Sequence, residues 1–148
     1  MAASGCAMAF EIAKVEAWEG EIEDRPGGLA EKLAEIMGAG ANLDFVVTHP
    51  CSEKPDNSRL FLAPLYGDAQ TQAALSAGLK RSTEQWIRIQ GPDRPWLAAG
   101  LAQTIADAGV NMRSLSAATI GDRCVLYISF STEADARRAC QVLTPVLG

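Results

Sequence analysis

The stretch Asp24-Arg-Pro-Gly-Gly-Leu-Ala-Glu-Lys-Leu-Ala-Glu-Ile-Met-Gly-Ala-Gly-Ala-Asn42 decides the fold, because the chain contains it twice. Its second form is Asp93-Arg-Pro-Trp-Leu-Ala-Ala-Gly-Leu-Ala-Gln-Thr-Ile-Ala-Asp-Ala-Gly-Val-Asn111, which aligns with the first without a gap. The offset is 69 residues (93 − 24). Self-similarity at a fixed offset indicates that one supersecondary unit has been duplicated.

Each copy of the stretch begins with a turn from a strand into a helix. Residues 17–22 and 86–90 are the strand candidates before Asp-Arg-Pro. The proline keeps the residue before it extended and pre-sets the first helical turn. Apolar residues then recur at steps of three and four, which predicts a helix with one apolar face: Leu29, Leu33, Ile36, Met37 and, in the second copy, Leu97, Leu101, Ile105. Gly40 and Gly109 are positioned to end these helices.

A hairpin and a second helix complete each copy. The predicted hairpin strands are 42–48 with 59–63 and 111–117 with 124–130, and the predicted second helices are 68–80 and 132–143. The order strand, helix, strand, strand, helix is most of a ferredoxin-like βαββαβ unit. We therefore predict an α+β fold with two tandem ferredoxin-like units, each with an antiparallel sheet and its helices on one face. The origin of each fourth strand stays open: residues 9–15 are one source, and pairing between copies or chains is another.

The predicted domain limits follow from the repeat. Residues 10–81 form the first domain and residues 82–148 form the second. Residues 1–9 are interpreted as a disordered N-terminal extension, to which we assign no function.

Composition excludes several classes of function. The net charge is −5 and the basic residues are scattered, whereas nucleic-acid surfaces depend on clustered Lys and Arg. The four cysteines lack Cys-x-x-Cys spacing and His49 is the single histidine, so we expect free thiols and no metal site. The chain contains neither a signal-peptide pattern nor an apolar run of about 18 residues. We therefore expect a cytoplasmic protein with no cofactor that binds neither nucleic acid nor membrane.

The Asp-Arg-Pro-Gly-Gly turn is a candidate anion site. It opens a helix, so free backbone N–H groups and the positive end of the helix dipole point at one spot. Gly27 and Gly28 remove side chains from that spot and let a ligand approach the backbone. Asn42 and Asn111 carry donors and acceptors where a strand begins, which suits an ammonium or amide group. Together these features fit a zwitterion.

A structural interpretation explains the same residues. Asp24 and Asp93 cap the helix, the proline fixes the turn, and the asparagines tolerate a left-handed backbone. A duplicated structural turn recurs as readily as a duplicated binding site. The repeat alone therefore does not separate the two interpretations.

The motif resembles that of the ACT domain. In the first copy the matching segments are Asp24-Arg-Pro-Gly-Gly-Leu29 and Ala39-Gly-Ala-Asn-Leu43. In the second copy they are Pro92-Asp-Arg-Pro-Trp-Leu97 and Asp107-Ala-Gly-Val-Asn-Met112. The resemblance covers the chain from residue 15 onward. It implies a stand-alone tandem pair of ACT domains, a regulatory module that binds amino acids.

The resemblance also implies a ligand at an interface between two such domains, held by the turn of one and the strand start of the other. The ligand-binding residues that it implies are Asp24, Arg25, Gly27, Gly28, Leu29, Asn42, Asp93, Arg94, Leu97 and Asn111. Trp96 stands where a glycine is usual, so its bulk fills the second pocket or covers a ligand bound elsewhere. The implied partners are an amino acid, a second copy in a homodimer or in pairing between copies, and a partner enzyme or regulator.

Two other functions stay open. One is a ligand-free protein interaction or dimerisation module, and the other is a small enzyme. Against an enzyme, the chain has no nucleophile elbow and no phosphate loop, and Ser116 and Ser129 fit ordinary strand residues. We therefore predict that the protein has no catalytic residues and is not an enzyme.

Overall fold

The computed structural model describes residues 9–148, so the extension predicted at residues 1–9 lies outside the described residues except for Ala9. The described part contains eight strands and four helices. The strands are β1 (Glu11–Val15), β2 (Trp18–Glu23), β3 (Phe45–Pro50), β4 (Asn57–Ala63), β5 (Lys80–Arg81), β6 (Gln85–Pro92), β7 (Met112–Ile120) and β8 (Arg123–Phe130). The helices are α1 (Gly28–Met37), α2 (Gly67–Ser76), α3 (Leu97–Asp107) and α4 (Glu133–Leu147).

The first unit comprises residues 16–83. Its antiparallel sheet has the strand order β3-β4-β2-β5, and α1 contacts both α2 and β2. Alternate residues of β2 and β4 face the helices because side chains along a strand alternate between its two faces. These residues and the apolar helix faces form one core: Trp18, Ile22, Ile36, Ala41, Leu60, Leu62, Ala74, Ala77 and Leu79.

The second unit comprises residues 84–148 together with β1. Its antiparallel sheet has the order β1-β6-β8-β7, and α4 contacts α3, β6 and β8. Its core is larger than that of the first unit: Ile87, Ile89, Leu97, Leu101, Ile105, Val110, Cys124, Leu126, Ile128, Phe130, Ala136, Ala139, Leu143 and Leu147.

These two sheets confirm the predicted α+β class and the ferredoxin-like units. They also identify the fourth strands. In the first unit the strand is β5, only two residues long, which pairs with Trp18 and Glu19. In the second unit it is β1, which precedes both repeats in the chain and pairs with β6 from Glu11↔Gln90 to Val15↔Trp86. Residues 11–15, which the predicted limits place in the first domain, therefore pair within the second unit.

The glycines that were predicted to end the first helix of each copy have the expected backbone conformation. Gly40 and Gly109 have φ values of 87° and 75°, the left-handed conformation that follows a helix end. Gly121, in the short turn between β7 and β8, has a φ of 63°. The glycines that were placed at turns by sequence therefore occupy positions at which a side chain is disfavoured.

Several predicted limits were wrong. The helix predicted over 68–80 ends at Ser76, because Gly78 turns the chain with a φ of 84° and Lys80 enters β5. The last helix runs beyond residue 143 to Leu147 and contains Pro145. The strand predicted from Asn42 begins only at Phe45.

The N-terminal ends of α2 and α4 differ in their hydrogen bonds. Thr132 caps α4, since its side chain accepts a hydrogen bond from the Asp135 N–H. Asp68 does not cap α2: Tyr66 is the N-cap residue, and its N–H donates to Gln70 Oε1 at 2.8 Å. The side chain of Gln70, within the first turns of α2, therefore binds the backbone of the N-cap residue.

A buried carboxylate connects the end of the first unit to its sheet. Glu19 accepts hydrogen bonds from Arg59 at 2.8 Å and from the Thr83 N–H at 2.6 Å. Burial raises the pKa of Glu19, but the hydrogen bonds from Arg59 and Thr83 reverse this and hold the pKa below its usual value. The carboxylate is thus kept ionised where the chain leaves β5.

Within residues 9–148, the helices are all too short or too polar to span a membrane.

Candidate functional site

The turn of the first copy is organised by backbone hydrogen bonds. The Asp24 N–H donates to Asp56 O at 2.8 Å, and the Gly28 N–H donates to Arg25 O at 3.1 Å. Gly27 is the N-cap residue of α1, with a φ of 86° and no side-chain cap. The interpretation of Asp24 as the helix cap is therefore wrong, since Asp24 lies three positions before the N-cap residue.

Gly28 lies where two stretches of backbone touch. A Cβ atom at this position would be 2.3 Å from the carbonyl oxygen of Glu23, which is closer than van der Waals contact permits. Glycine is therefore required here by the close approach of helix and strand, independently of any ligand. The matching residue of the second copy is Leu97, whose side chain is buried in the core of that unit.

Arg25 is engaged by its neighbours. Its guanidinium lies 2.6 Å from a carboxylate oxygen of Glu23 and 2.6 Å from one of Glu31. The hydrogen bonds to Glu31 and Glu23 raise the pKa of Arg25, and the hydrogen bond from Arg25 lowers the pKa of Glu31. The positive charge that would attract a ligand carboxylate is thus already balanced.

A cavity of about 290 Å³ lies beside this turn, and carboxylates dominate its lining. It is lined by Glu21, Ile22, Glu23, Arg25, Gly28, Glu31, Lys32 and Glu35. Four acidic side chains face two basic ones, so the lining attracts an ammonium group better than a carboxylate. The acidic residues were missed by the sequence analysis, although Glu31 and Glu35 are spaced four apart on the polar face of the predicted helix.

The turn of the second copy repeats the backbone but not the side chains. The Asp93 N–H donates to Asp122 O at 2.8 Å, as Asp24 does to Asp56. Arg94 stacks over the ring of Phe10, with the guanidinium carbon 5.0 Å from the ring centroid, and donates to Val146 O at 3.4 Å. Its surroundings therefore differ from the double ion pair of Arg25.

Trp96 occupies the N-cap position of α3 in the left-handed conformation, with a φ of 63°. Gly27 has the corresponding position in the first copy, so the backbone is shared and the tryptophan carries the strain, of the order of 1–3 kcal/mol for such conformations. Its side chain is 85% exposed. Asp93 is again not the cap, and Trp96 does not fill a pocket of its own unit.

The two asparagines lie far from the turns of their own units. Asn111 directly precedes β7, at the end where Met112 is opposite Phe130. The Asp93 turn lies at the other end, where its N–H bonds to Asp122 just beyond Ile120. A strand of nine residues at about 3.3 Å per residue separates the two ends by roughly 30 Å. One unit therefore does not bring its turn and its asparagine to one ligand.

The first copy has the same arrangement. The Asp44 N–H, two residues after Asn42, donates to Ala63 O at 2.9 Å, whereas Asp24 bonds to Asp56 at the opposite end of the sheet. Asn42 and Asn111 are both exposed. Leu29 is partly buried and packs against the core of the first unit, so its side chain contributes to the stability of that unit.

Comparison with known proteins finds a family model that matches the second repeat of the chain. Residues 86–147 match the family model of the ACT domain. A protein from Bacteroides thetaiotaomicron has a similar structure, with 15% identity, a TM-score of 0.74, and coverage of 91% of this chain and 90% of that one. The regulatory subunit of aspartate kinase from Thermus thermophilus, in its ligand-free form, is also similar. It has 18% identity, a TM-score of 0.59, and coverage of 92% of this chain and 97% of that one. At these identities the structural likeness establishes the fold alone. No curated protein sequence matches the chain.

We predict opposite effects of alanine at two glycines. Gly28→Ala places a Cβ against Glu23 O and should lower the free energy of unfolding by more than about 1 kcal/mol. Gly100→Ala is the control, because Gly100 lies within α3 with open space around its Cβ and should gain about 0.5–1 kcal/mol from helix propensity. Urea unfolding followed by circular dichroism measures both. Wild-type stability of Gly28→Ala would show that the turn tolerates a side chain.

Proposed function

We propose, from the premise that residues 86–147 form an ACT domain, that the protein is a cytoplasmic, non-catalytic regulator that binds an amino acid. The ligand binds between the second units of two copies of the chain, where the Asp93 turn of one copy meets Asn111 of the other. Binding changes the association of the copies, and through it the activity of a partner enzyme or regulator. A stand-alone regulatory role also agrees with the fold of the aspartate kinase regulatory subunit.

The opposite placement of the turn and the asparagine carries this proposal. The turn offers the N-terminus of α3 and Arg94 for a carboxylate, and Asn111 offers an amide for an ammonium group. The two are separated by the full length of β7. A ligand the size of an amino acid reaches both only if a second sheet brings its own Asn111 to the turn.

The edge strand β7 is suited to that pairing. Every residue from 115 to 120 is exposed, and residues 114–120 carry no charge. The other edge strands have features that oppose pairing: β1 carries Glu11 and Lys14, β5 is the pair Lys80–Arg81, and β3 ends at Pro50. A long uncharged edge with free backbone groups is a template for another strand.

Antiparallel pairing of two β7 strands gives a symmetric dimer. With the two-fold axis at Ala117, the centre of the uncharged segment, Ser116 of each copy is opposite Ala118 of the other. Arg113 then lies opposite Gly121, beside Asp122, so the charged ends of the strands are complementary. The same pairing places Asn111 at the end of the sheet that holds the Asp93 turn.

A ligand-free interaction module is the second candidate. Trp96 favours it, because a tryptophan that is 85% exposed and held in a left-handed conformation is an unusual surface residue. Tryptophan is also frequent among the residues that dominate protein interfaces. This function requires the edge of β7 and Trp96 but no amino acid.

We predict that one or a few of the twenty standard amino acids raise the melting temperature. A ligand at 100 times its Kd adds about 2.7 kcal/mol if it binds only the folded protein. Asn111→Ala should abolish the shift, because it removes the amide that is proposed to hold the ammonium group. Gln103→Ala is the matched control. Gln103 lies on α3, and its side chain donates a hydrogen bond to Asp107 on the same helix.

The absence of a shift with every amino acid would favour the interaction module. A shift that survives Asn111→Ala unchanged would contradict the placement of the ligand at Asn111.

The proposed edge pairing predicts a charge-dependent dimer. Ser116→Lys with Ala118→Lys places like charges opposite each other twice, and should shift the protein towards monomer in sedimentation velocity. Ser116→Lys with Ala118→Glu is the control, because opposite charges then face each other and the dimer should persist. The register would be contradicted if both double variants dissociated equally, or if neither of them dissociated.

A further inference from the structure

A second cavity lies within the second unit, away from the duplicated turn. Its volume is about 220 Å³, and it lies between the edge strand β1, the start of β6 and the first half of α4. The lining consists of Lys14, Gln85, Trp86, Ile87, Glu133, Ala136, Arg137 and Cys140. It is therefore distinct from the residues that the family resemblance implies.

The cavity exists because small residues of α4 face the edge of the sheet. Ala136 and Cys140 are one helical turn apart on the side of α4 that covers Ile87. Lys14 pairs with Ile87 across β1 and β6, so its side chain lies on the same face of the sheet. Its amphipathic stem borders the hollow where a large apolar residue would otherwise close it.

The lining combines an apolar base with a charged rim. Ile87 is 2% exposed, and burial raises the pKa of Cys140, so its thiol is neutral. Among the residues that line the cavity, Lys14 and Arg137 are basic and Glu133 is acidic. Arg137 and Glu133 are 3.2 Å apart and largely exposed, and such surface pairs contribute little, so a ligand anion competes readily for the guanidinium.

We propose that this cavity binds a small monocarboxylate with an apolar body. Its aliphatic or aromatic part fits against Ile87, Ala136 and Cys140, and its carboxylate lies between Lys14 and Arg137. Drug-sized ligands occupy pockets of roughly 300–1,000 Å³. The smaller cavity here limits the ligand to about the size of an amino-acid side chain with one acid group.

Such a ligand connects β1 to the rest of its unit. Lys14 is on β1, whereas Glu133, Ala136, Arg137 and Cys140 are on α4. A ligand that contacts both binds only while β1 is paired with β6, and so stabilises that pairing. This site is independent of amino-acid binding at the Asp93 turn.

The test measures alkylation of Cys140 by N-ethylmaleimide, followed residue by residue by mass spectrometry. The probe is 4-methyl-2-oxopentanoate, and the uncharged 4-methylpentan-2-one is its matched control. With the acid at ten times its Kd, the rate at Cys140 should fall about tenfold. The rate at Cys51, in the first unit, should not change. Hydrogen exchange of the β1 amides should slow in parallel.

Two variants locate the site. Lys14→Met retains the apolar stem and should lose the protection by the acid. Ala136→Leu fills the cavity and should slow alkylation of Cys140 without any ligand. The proposal is overturned if Cys140 reacts at the same rate with the acid at about 10 mM, the weak end of specific binding. Equal protection by the ketone, or protection that persists in Lys14→Met, would also overturn it.

Discussion

The crossover from β6 through α3 to β7 constrains what the second unit can do. Its turn begins where β6 ends, and its asparagine stands where β7 begins, so the two lie at opposite ends of one sheet. The hydrogen bond from the Asp93 N–H to Asp122 O holds the turn to the hairpin loop and fixes it at that end. A ligand site that uses both elements therefore has to be completed by another sheet. In the proposed dimer, the exposed, uncharged edge of β7 provides the surface for that second sheet.

The local parts of the fold could be predicted from the sequence because they depend on local chemistry. The helices that begin near Leu29 and Leu97 follow from the three- and four-residue spacing of apolar side chains. Gly40 and Gly109 follow from the left-handed backbone that ends a helix. The fourth strands could not be predicted in this way. The strand β5 is two residues long, and β1 pairs with a strand more than seventy positions further along the chain. Pairing between distant segments leaves no periodic signal in either one.

In the candidate site, too, local features could be predicted from the sequence and contacts between segments could not. The repeat located the two turns, and the turns share a left-handed conformation at Gly27 and Trp96. The partners of Arg25 were not predicted, because they depend on the packing of Glu23 and Glu31 around it. The sequence predicts that a ligand approaches the backbone at Gly28, whereas the backbone of Glu23 occupies the space beside it. Motif residues thus have structural roles that only the neighbouring segments reveal.

The most direct test of a site shared by two copies is a binding measurement on mixed variants. Arg94→Glu damages the turn and Asn111→Ala damages the strand start, so each variant alone should bind none of the amino acid that stabilises the wild type most. A symmetric dimer formed from one chain of each has one site with both parts intact. If the chains mix at random, calorimetric titration of an equal mixture should recover about a quarter of the wild-type sites. A mixture that binds no more than the separate variants would contradict a site built from two chains.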